Sequence, residues 1–414
     1  MSFYPAYMAF AALLLLSAES AAQSLPVSVN PAFRSLLVYP ESRRYEAPVL
    51  HGLDTSESIV ISFDELDDNV RQLRYELIHC DADWHTENLN PAELSEGFNE
   101  GVIDDATHSR GTVSQYVNYR LTIPNQDVRP KISGNWIVRI YDEYKPDVTL
   151  LTVPFMISEE TADVSGTATG RTDRSYNDWE QQLEITVDTH RARIGTPLTD
   201  IDVRVSQNGD TPRKIGMPMR FDGDRAVYAH NSALIFPASN EFRRFETVST
   251  DYPGLNVAHI NYIEPSYHFY LSTDEPRAGK DYSYDSTQHG RFTVNAADTD
   301  YPDTESEYAW VHFSLSMPEL PDGNIEIDGD LTRGLTPIQR RMIYNPENRQ
   351  YESSLLLKQG SYNYRYTATD IADHNLIEGN YHRTHNQYGI AVYYKAPADR
   401  YTRLLGYGVT ESGY

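Results

Sequence analysis

The sequence predicts an all-β protein built from tandem immunoglobulin-like or fibronectin-like β-sandwich domains, about three of them, with very little helix. Three observations predict this. Short β-rich runs recur with turn residues between them, as in sandwich folds. No long run keeps a 3.6-residue apolar period, and residues 91–97 supply only a candidate single turn. Tyrosine is in excess, with 31 Tyr against 13 Phe and 4 Trp. A ring with one apolar side and one wet end suits a half-buried pleated sheet, and it also suits a binding surface.

The first residues predict export. Met8 to Leu16 is an unbroken apolar stretch leading through Ser17 and Glu19 to the small residues Ser20, Ala21 and Ala22. That is a secretory signal peptide pattern, residues 1–22, with cleavage after Ala22, although its n-region carries no Lys or Arg. The run is well short of the roughly 20 apolar residues that a bilayer demands, and no later segment reaches that length. The mature chain is therefore expected to make no direct membrane insertion.

A first β domain is expected over residues 23–158. Ser58 to Phe63 is β-rich and ends in the polar pair Asp64 and Glu65. Tyr119, Leu121 and Ile123 alternate with Arg120 and Thr122 before Pro124-Asn125 turns the chain. Asn135 to Tyr141 follows Ser133-Gly134, and Leu150 to Ile157 closes the region. Residues 159–174, rich in Thr, Ser, Gly and Asp without periodicity, read as a linker. A second β domain over 175–285 opens with alternating Leu183, Ile185 and Val187. It continues through Val203 and Val205 to the turn-like Gln207-Asn208-Gly209-Asp210. The third, immunoglobulin-like domain spans 286–414. It holds the clearest alternation, Tyr362, Tyr364 and Tyr366 against Asn363, Arg365 and Thr367.

Charge narrows the partners. The chain has 414 residues and a formal net charge of −25, and loss of the leader removes Glu19 but no basic residue. Such a surface repels nucleic acid and anionic headgroups. Cys80 is the single cysteine, so the chain has no intrachain disulfide, and it lies too far inside to be an acylated first residue.

The densest polar cluster is His79-Cys80-Asp81-Ala82-Asp83-Trp84-His85. In an extended strand His79, Asp81, Asp83 and His85 would share one face. Spacing of that kind spreads ligands over roughly 20 Å, whereas a metal gathers them within about 2 to 2.5 Å of one point. The expectation is a strand leaving the core into a polar turn, with Cys80 and Trp84 packed and no metal or cofactor bound. The acidic run Asp298, Asp300, Asp303, Glu305 and Glu307 invites a calcium reading, yet Pro302 and Asp303 stand where an EF-hand needs a ligand and its turn glycine. A solvated loop is expected there. The sequence contains no Gly-x-Ser-x-Gly elbow, no His-Glu-x-x-His, no phosphate-binding Gly-Lys-Ser or Gly-Lys-Thr and no Cys-x-x-Cys, so no catalytic residues are assigned and the chain reads as a non-enzyme.

The same segments, in order, resemble the plug protein family of the type IX secretion system. They are Ile61 to Leu66, Tyr75, His79 to Trp84, Glu96-Gly97-Phe98, Tyr119 to Asn125, Ser133 to Trp136 and Phe155-Met156. The series continues through Gln207-Asn208, Phe236 to Arg243, Leu357 to Gly360 and Val392 to Tyr394. Gln288-His289-Gly290 departs from the family, which more often shows Asn-Gly there. The resemblance implies a periplasmic accessory protein, peripheral to the outer membrane. It would dock on the large outer-membrane β-barrel translocon and close its periplasmic mouth when cargo is absent. His79, Cys80, Asp81, Asp83 and Trp84, with Asn240, Glu241, Phe242 and Arg243, are then either framework or docking surface.

Two other readings remain. Glu326 to Asp330, Met342 to Tyr344 and Leu357 to Tyr366 look like domains attached to starch-active enzymes, which suggests an exported carbohydrate-binding β-sandwich protein. The Trp that such domains place after the Gly-Asp turn is missing from Gly329 to Gly334. An exported glycoside hydrolase rests only on surplus carboxylates.

Overall fold

The computed structural model describes residues 27–174, 179–192, 194 and 200–413, so the expected signal peptide lies outside the described residues. Antiparallel sheets dominate, and each helix among the described residues is no longer than four residues.

The first unit is a sandwich. One sheet runs in spatial order Ser28–Val29, Lys145–Ser158, Gly134–Asp142, Leu73–Cys80 and Glu100–Val102, with Val49–His51 pairing beside the long strand. The facing sheet runs Phe33–Pro40, Ile59–Glu65, Val117–Ile123 and Asp105–His108. Alternate residues of both sheets meet in a core that includes Phe63, Leu77, Tyr119, Trp136, Val138 and Phe155. Fully burying side chains of this size contributes about 1.5 to 3 kcal/mol each. The candidate turn at 91–97 is a helix only over Pro91–Leu94, where Glu93 Oε2 accepts from the Asn90 N–H at 2.9 Å. Ser95–Gly97 then pairs with Val128–Pro130.

The expected ending of the Ser58 to Phe63 run is corrected. The strand continues through Asp64 and Glu65, each 1% exposed, because both carboxylates have cationic partners, Lys358 and Arg71.

The linker is corrected as well. Asp163–Thr169 is a strand that pairs along its whole length with Glu180–Asp188. Its inward residues are small, and Thr410 Oγ1 donates to the Gly166 carbonyl at 2.9 Å. With Val164, Gly166 and Ala168 as the only inward groups, the run lacks the apolar signal that marks most strands.

The linear division into second and third domains also changes. Ile201–Gln207 pairs with Gln387–Tyr394, which pairs with Arg403–Glu411, so the C-terminal hairpin completes the middle sandwich. Tyr388, Ile390, Val392 and Tyr394 join Leu183, Ile185, Val203 and Phe236 in its core. The third unit is inserted between these halves. Arg243–Glu246 already pairs with Gly360–Thr369, and Phe245 packs with Phe269, Val311, Phe313 and Tyr364. Partner choice between distant strands is not written in local alternation, so chain order misplaced the hairpin.

Residues 208–209 form the expected tight turn, with Asn208 and Gly209 at φ 52° and 77°. At the departure from the family pattern, His289 and Gly290 hold φ 52° and 87°, so a left-handed pair stands there.

The acidic run is partly corrected. Pro302–Glu305 is a short helix, and Glu307 is buried, accepting from the backbone N–H groups of Val113, Ser114 and Tyr308. It ties the third unit to the first instead of wetting a loop.

Candidate functional site

The His79 segment sits where the first unit meets the C-terminal hairpin. His79 ends a core strand and is 1% exposed. Its Nε2 lies 2.9 Å from the Ser133 carbonyl and its Nδ1 3.0 Å from Glu87 Oε2, and its ring stands edge-on to Trp136 and Tyr401. Gly134, at φ +126°, lets the neighbouring strand pass, since a Cβ there would fall 2.5 Å from His79 Nε2.

Beyond the strand, Asp81 Oδ1 accepts from the N–H groups of Asp83 and His85, each at 2.9 Å, which closes the polar turn. Trp84, at φ 64°, folds back on Cys80 and Ile137. Burial, with Asp81 and Glu87 adding to it, pushes the Cys80 thiol up to about 12, so it stays protonated and unreactive. Asp83 Oδ1 accepts from Arg204 Nη1 of the middle unit at 2.8 Å. Thus His79, Cys80 and Trp84 are structural by burial and packing, Asp81 closes the turn, and Asp83 bridges the first and middle units. His79, Asp81, Asp83 and His85 do not converge, and no group of three or more His, Cys, Asp or Glu among the described residues could hold a metal.

The second segment is equally internal. Asn240 Nδ2 donates to the Glu378 carbonyl at 2.9 Å. Glu241 Oε1 accepts from Tyr282 Oη at 2.7 Å and the His385 N–H at 2.9 Å. Phe242 is 5% exposed under the Arg365 guanidinium. Arg243 donates to Glu378 at 2.9 Å and Asp274 at 2.6 Å, over the Tyr366 ring. Burial alone would lower its pKa, and the Glu378 and Asp274 carboxylates outweigh that and hold it charged. The docking alternative for Asn240, Glu241, Phe242 and Arg243 is therefore set aside, because a partner could not reach them.

Sequence reasoning missed the residues that complete these networks. Glu87 accepts from Thr402 N–H and Oγ1 at 2.9 Å each and from Lys395 Nζ at 2.6 Å, while Asn135 Oδ1 accepts from Tyr393 Oη at 2.7 Å. Their partners lie more than 250 positions away, so no local signal could have found them. Burial raises the Glu87 pKa, but bonds from His79, Lys395 and Thr402 outweigh this and hold the carboxyl at about 2. A depressed carboxyl stabilises fully above its ordinary value near 4.5, and the contribution is lost as pH falls toward 2. We expect Glu87→Gln to lose about 2 kcal/mol at pH 7, after allowing for solvent screening, and to flatten the fall in melting temperature between pH 4.5 and 2. Calorimetry across that range checks it; an unchanged slope would remove Glu87 from the acid response.

The accessible apolar groups of the first unit lie elsewhere. At the Glu100–Val102 edge strand, Val102 pairs with Arg74, and Arg74 pairs with Tyr141 on the next strand. The hairpin beyond Asp142 carries Tyr144, 76% exposed, whose hydroxyl donates to Gln72 Oε1 at 2.9 Å. Val70 and Val148 flank this end, and Phe98, 72% exposed, begins the same edge. Sheet edges with unpaired backbone groups and exposed rings are ready sites for protein contact.

Comparisons with known proteins agree with this architecture. Residues 33–159 match the family described as type 9 secretion system plug protein, first domain. A solved crystal structure of a hypothetical protein from Parabacteroides merdae is 37% identical, with a TM-score of 0.90, covering 93% of this chain and 99% of that one. No curated protein matches. Family match and near-complete structural likeness together place the protein: the chain belongs to the type IX secretion system plug protein family.

Proposed function

We propose that the protein is a periplasmic accessory protein that docks on the outer-membrane translocon barrel and closes its periplasmic mouth when cargo is absent. The observation that carries this reading is the family match over the first sandwich. Its physical support is stiffness. The first and third units are joined by Lys358 and Asp64 at 2.7 Å, the first and middle by Arg403 and Glu159 at 2.6 Å, and the middle and third by Arg365 and Asp210 at 3.0 Å. A stopper needs rigid bulk and a complementary face more than reactive groups. We place that face at the Val102 edge of the first unit, with Tyr144 and Phe98, because it offers exposed rings on the unit that the family match covers.

Tagged protein recovered from gently solubilised outer membranes, with crosslinking, should bring down a very large β-barrel protein. Tyr144→Asp combined with Val102→Glu should cut that recovery at least about tenfold while leaving the melting temperature within a few degrees, since both sites are exposed. Deletion should make cells leaky to large excluded molecules only where the translocon is present. Recovery of a soluble monomer alone, or unchanged permeability, would sink the gating role.

A further inference from the structure

Where the three units meet, a cavity of about 120 Å³ is lined by residues from all of them. The chain has 60 acidic against 35 basic residues, so a sheltered arginine without a carboxylate is unexpected. Arg291 lines this cavity without one, and Arg44 beside it meets only a distant one.

Pairing on the cavity wall leaves them over. Arg204 is taken by Asp83 at 2.8 Å and Asp202 at 2.9 Å, and Arg333 by Asp330. The remaining wall carboxylates are engaged by arginines that do not line it, Asp210 by Arg365 at 3.0 Å and Glu46 by Arg43 at 2.8 Å. Arg291, by contrast, donates from Nη2 to the neutral Gln387 Oε1 at 2.9 Å and makes a long contact to the Gln288 carbonyl at 3.5 Å. It has no ion-pair partner among the described residues. Arg44 leaves Nε and Nη2 buried without a hydrogen bond, and Asp303 Oδ1 stands 3.8 Å from it, beyond hydrogen-bonding reach. The wall also presents the apolar groups of Tyr39, Phe155, Met156 and Tyr393.

A desolvated guanidinium with spare donors is costly unless an anion meets it, and its planar fork matches a carboxylate. We propose that this cavity binds a small organic carboxylate, its head held by Arg291 and Arg44 and its apolar body against Tyr39, Phe155 and Tyr393. Burial pushes the Arg291 guanidinium below its ordinary value, and an arriving anion would oppose that shift. The volume is below the roughly 150 Å³ of a cavity that takes benzene, so it limits the ligand to a short-chain carboxylate of about three or four carbons.

The test uses the purified chain and butyrate, with butyramide as the neutral isostere and inorganic phosphate as the plain anion. Calorimetric titration should show saturable butyrate binding at least about tenfold tighter than either control. Arg291→Met keeps the side chain's bulk and should abolish that preference. Arg44→Met should weaken butyrate at least about threefold, which keeps the test decisive should the Arg291 variant fold poorly by circular dichroism. Equal binding of butyramide or phosphate, absence of saturable butyrate binding, or undiminished binding by the folded variants would each overturn the proposal. The assay needs no translocon, so its failure leaves the plug reading untouched.

Discussion

Lys358→Met is expected to lower stability by about 3 to 5 kcal/mol, because it strands a buried carboxylate. Lys358 Nζ and Asp64 Oδ2 are 2.7 Å apart, each side chain 1% exposed, and they join the third unit to the first. The ammonium also donates to the Asp303 carbonyl at 2.6 Å and lies 4.1 Å from the Tyr116 ring centre. Asp64 accepts in addition from Tyr308 Oη and Asn118 Nδ2, each at 2.7 Å. Burial pushes the carboxyl up and the ammonium down, and each partner partly offsets the other's shift. Desolvation thus disfavours both charges, and the pair survives on its mutual attraction and shared hydrogen bonds. The double variant Asp64→Leu with Lys358→Met should therefore recover most of the loss, since apolar replacement of a whole buried pair is often neutral. Urea unfolding of the two single variants and the double variant reads this directly. Additive losses would show that the pair is not the connection.

Glu378→Gln carries the second large effect, also about 3 to 5 kcal/mol. Glu378, 1% exposed, accepts from Arg243 Nε at 2.9 Å, Arg277 Nε at 2.7 Å and the Tyr366 N–H at 2.9 Å. Burial raises its pKa, and the two arginines outweigh that and hold the carboxyl below its ordinary value. Its stabilisation is present above the ordinary carboxylate range and is lost on acidification below it. A neutral amide would leave two guanidiniums facing each other with only Asp274 to balance Arg243. Adding Arg277→Met should then return part of the loss, a coupling that a double-mutant cycle in thermal unfolding measures. A Glu378→Gln variant as stable as the parent would show that the cluster is solvated.

Both sites explain how much of the motif content was legible. Asn240 to Arg243 stood out in the sequence as a polar and aromatic run, either framework or docking surface, and the structure gives Arg243 a Glu partner. The Glu partner is Glu378, not the adjacent Glu241, and adjacency in sequence says nothing about which side chains face one another across a sheet. The His79 turn was read correctly as a strand leaving the core, with Trp84 packed. Its role as the seat of the C-terminal hairpin was invisible, because Lys395 and Thr402 sit in a segment with no polar motif of its own.

The amino-acid sequence by itself determined the all-β class and most strand positions, because alternation with period two is a local property of each segment. Ile59–Glu65, Val117–Ile123, Gly134–Asp142 and Gly360–Thr369 all fall where the alternation placed them, within a few residues at their ends. Only the tertiary structure decided which strands pair, that Gln387–Glu411 returns to the middle sandwich, and that Asp64, Glu307 and Lys358 are internal. Those outcomes depend on charge partners and strand partners hundreds of residues apart. A polar residue reads as surface until the fold brings its counter-charge to it.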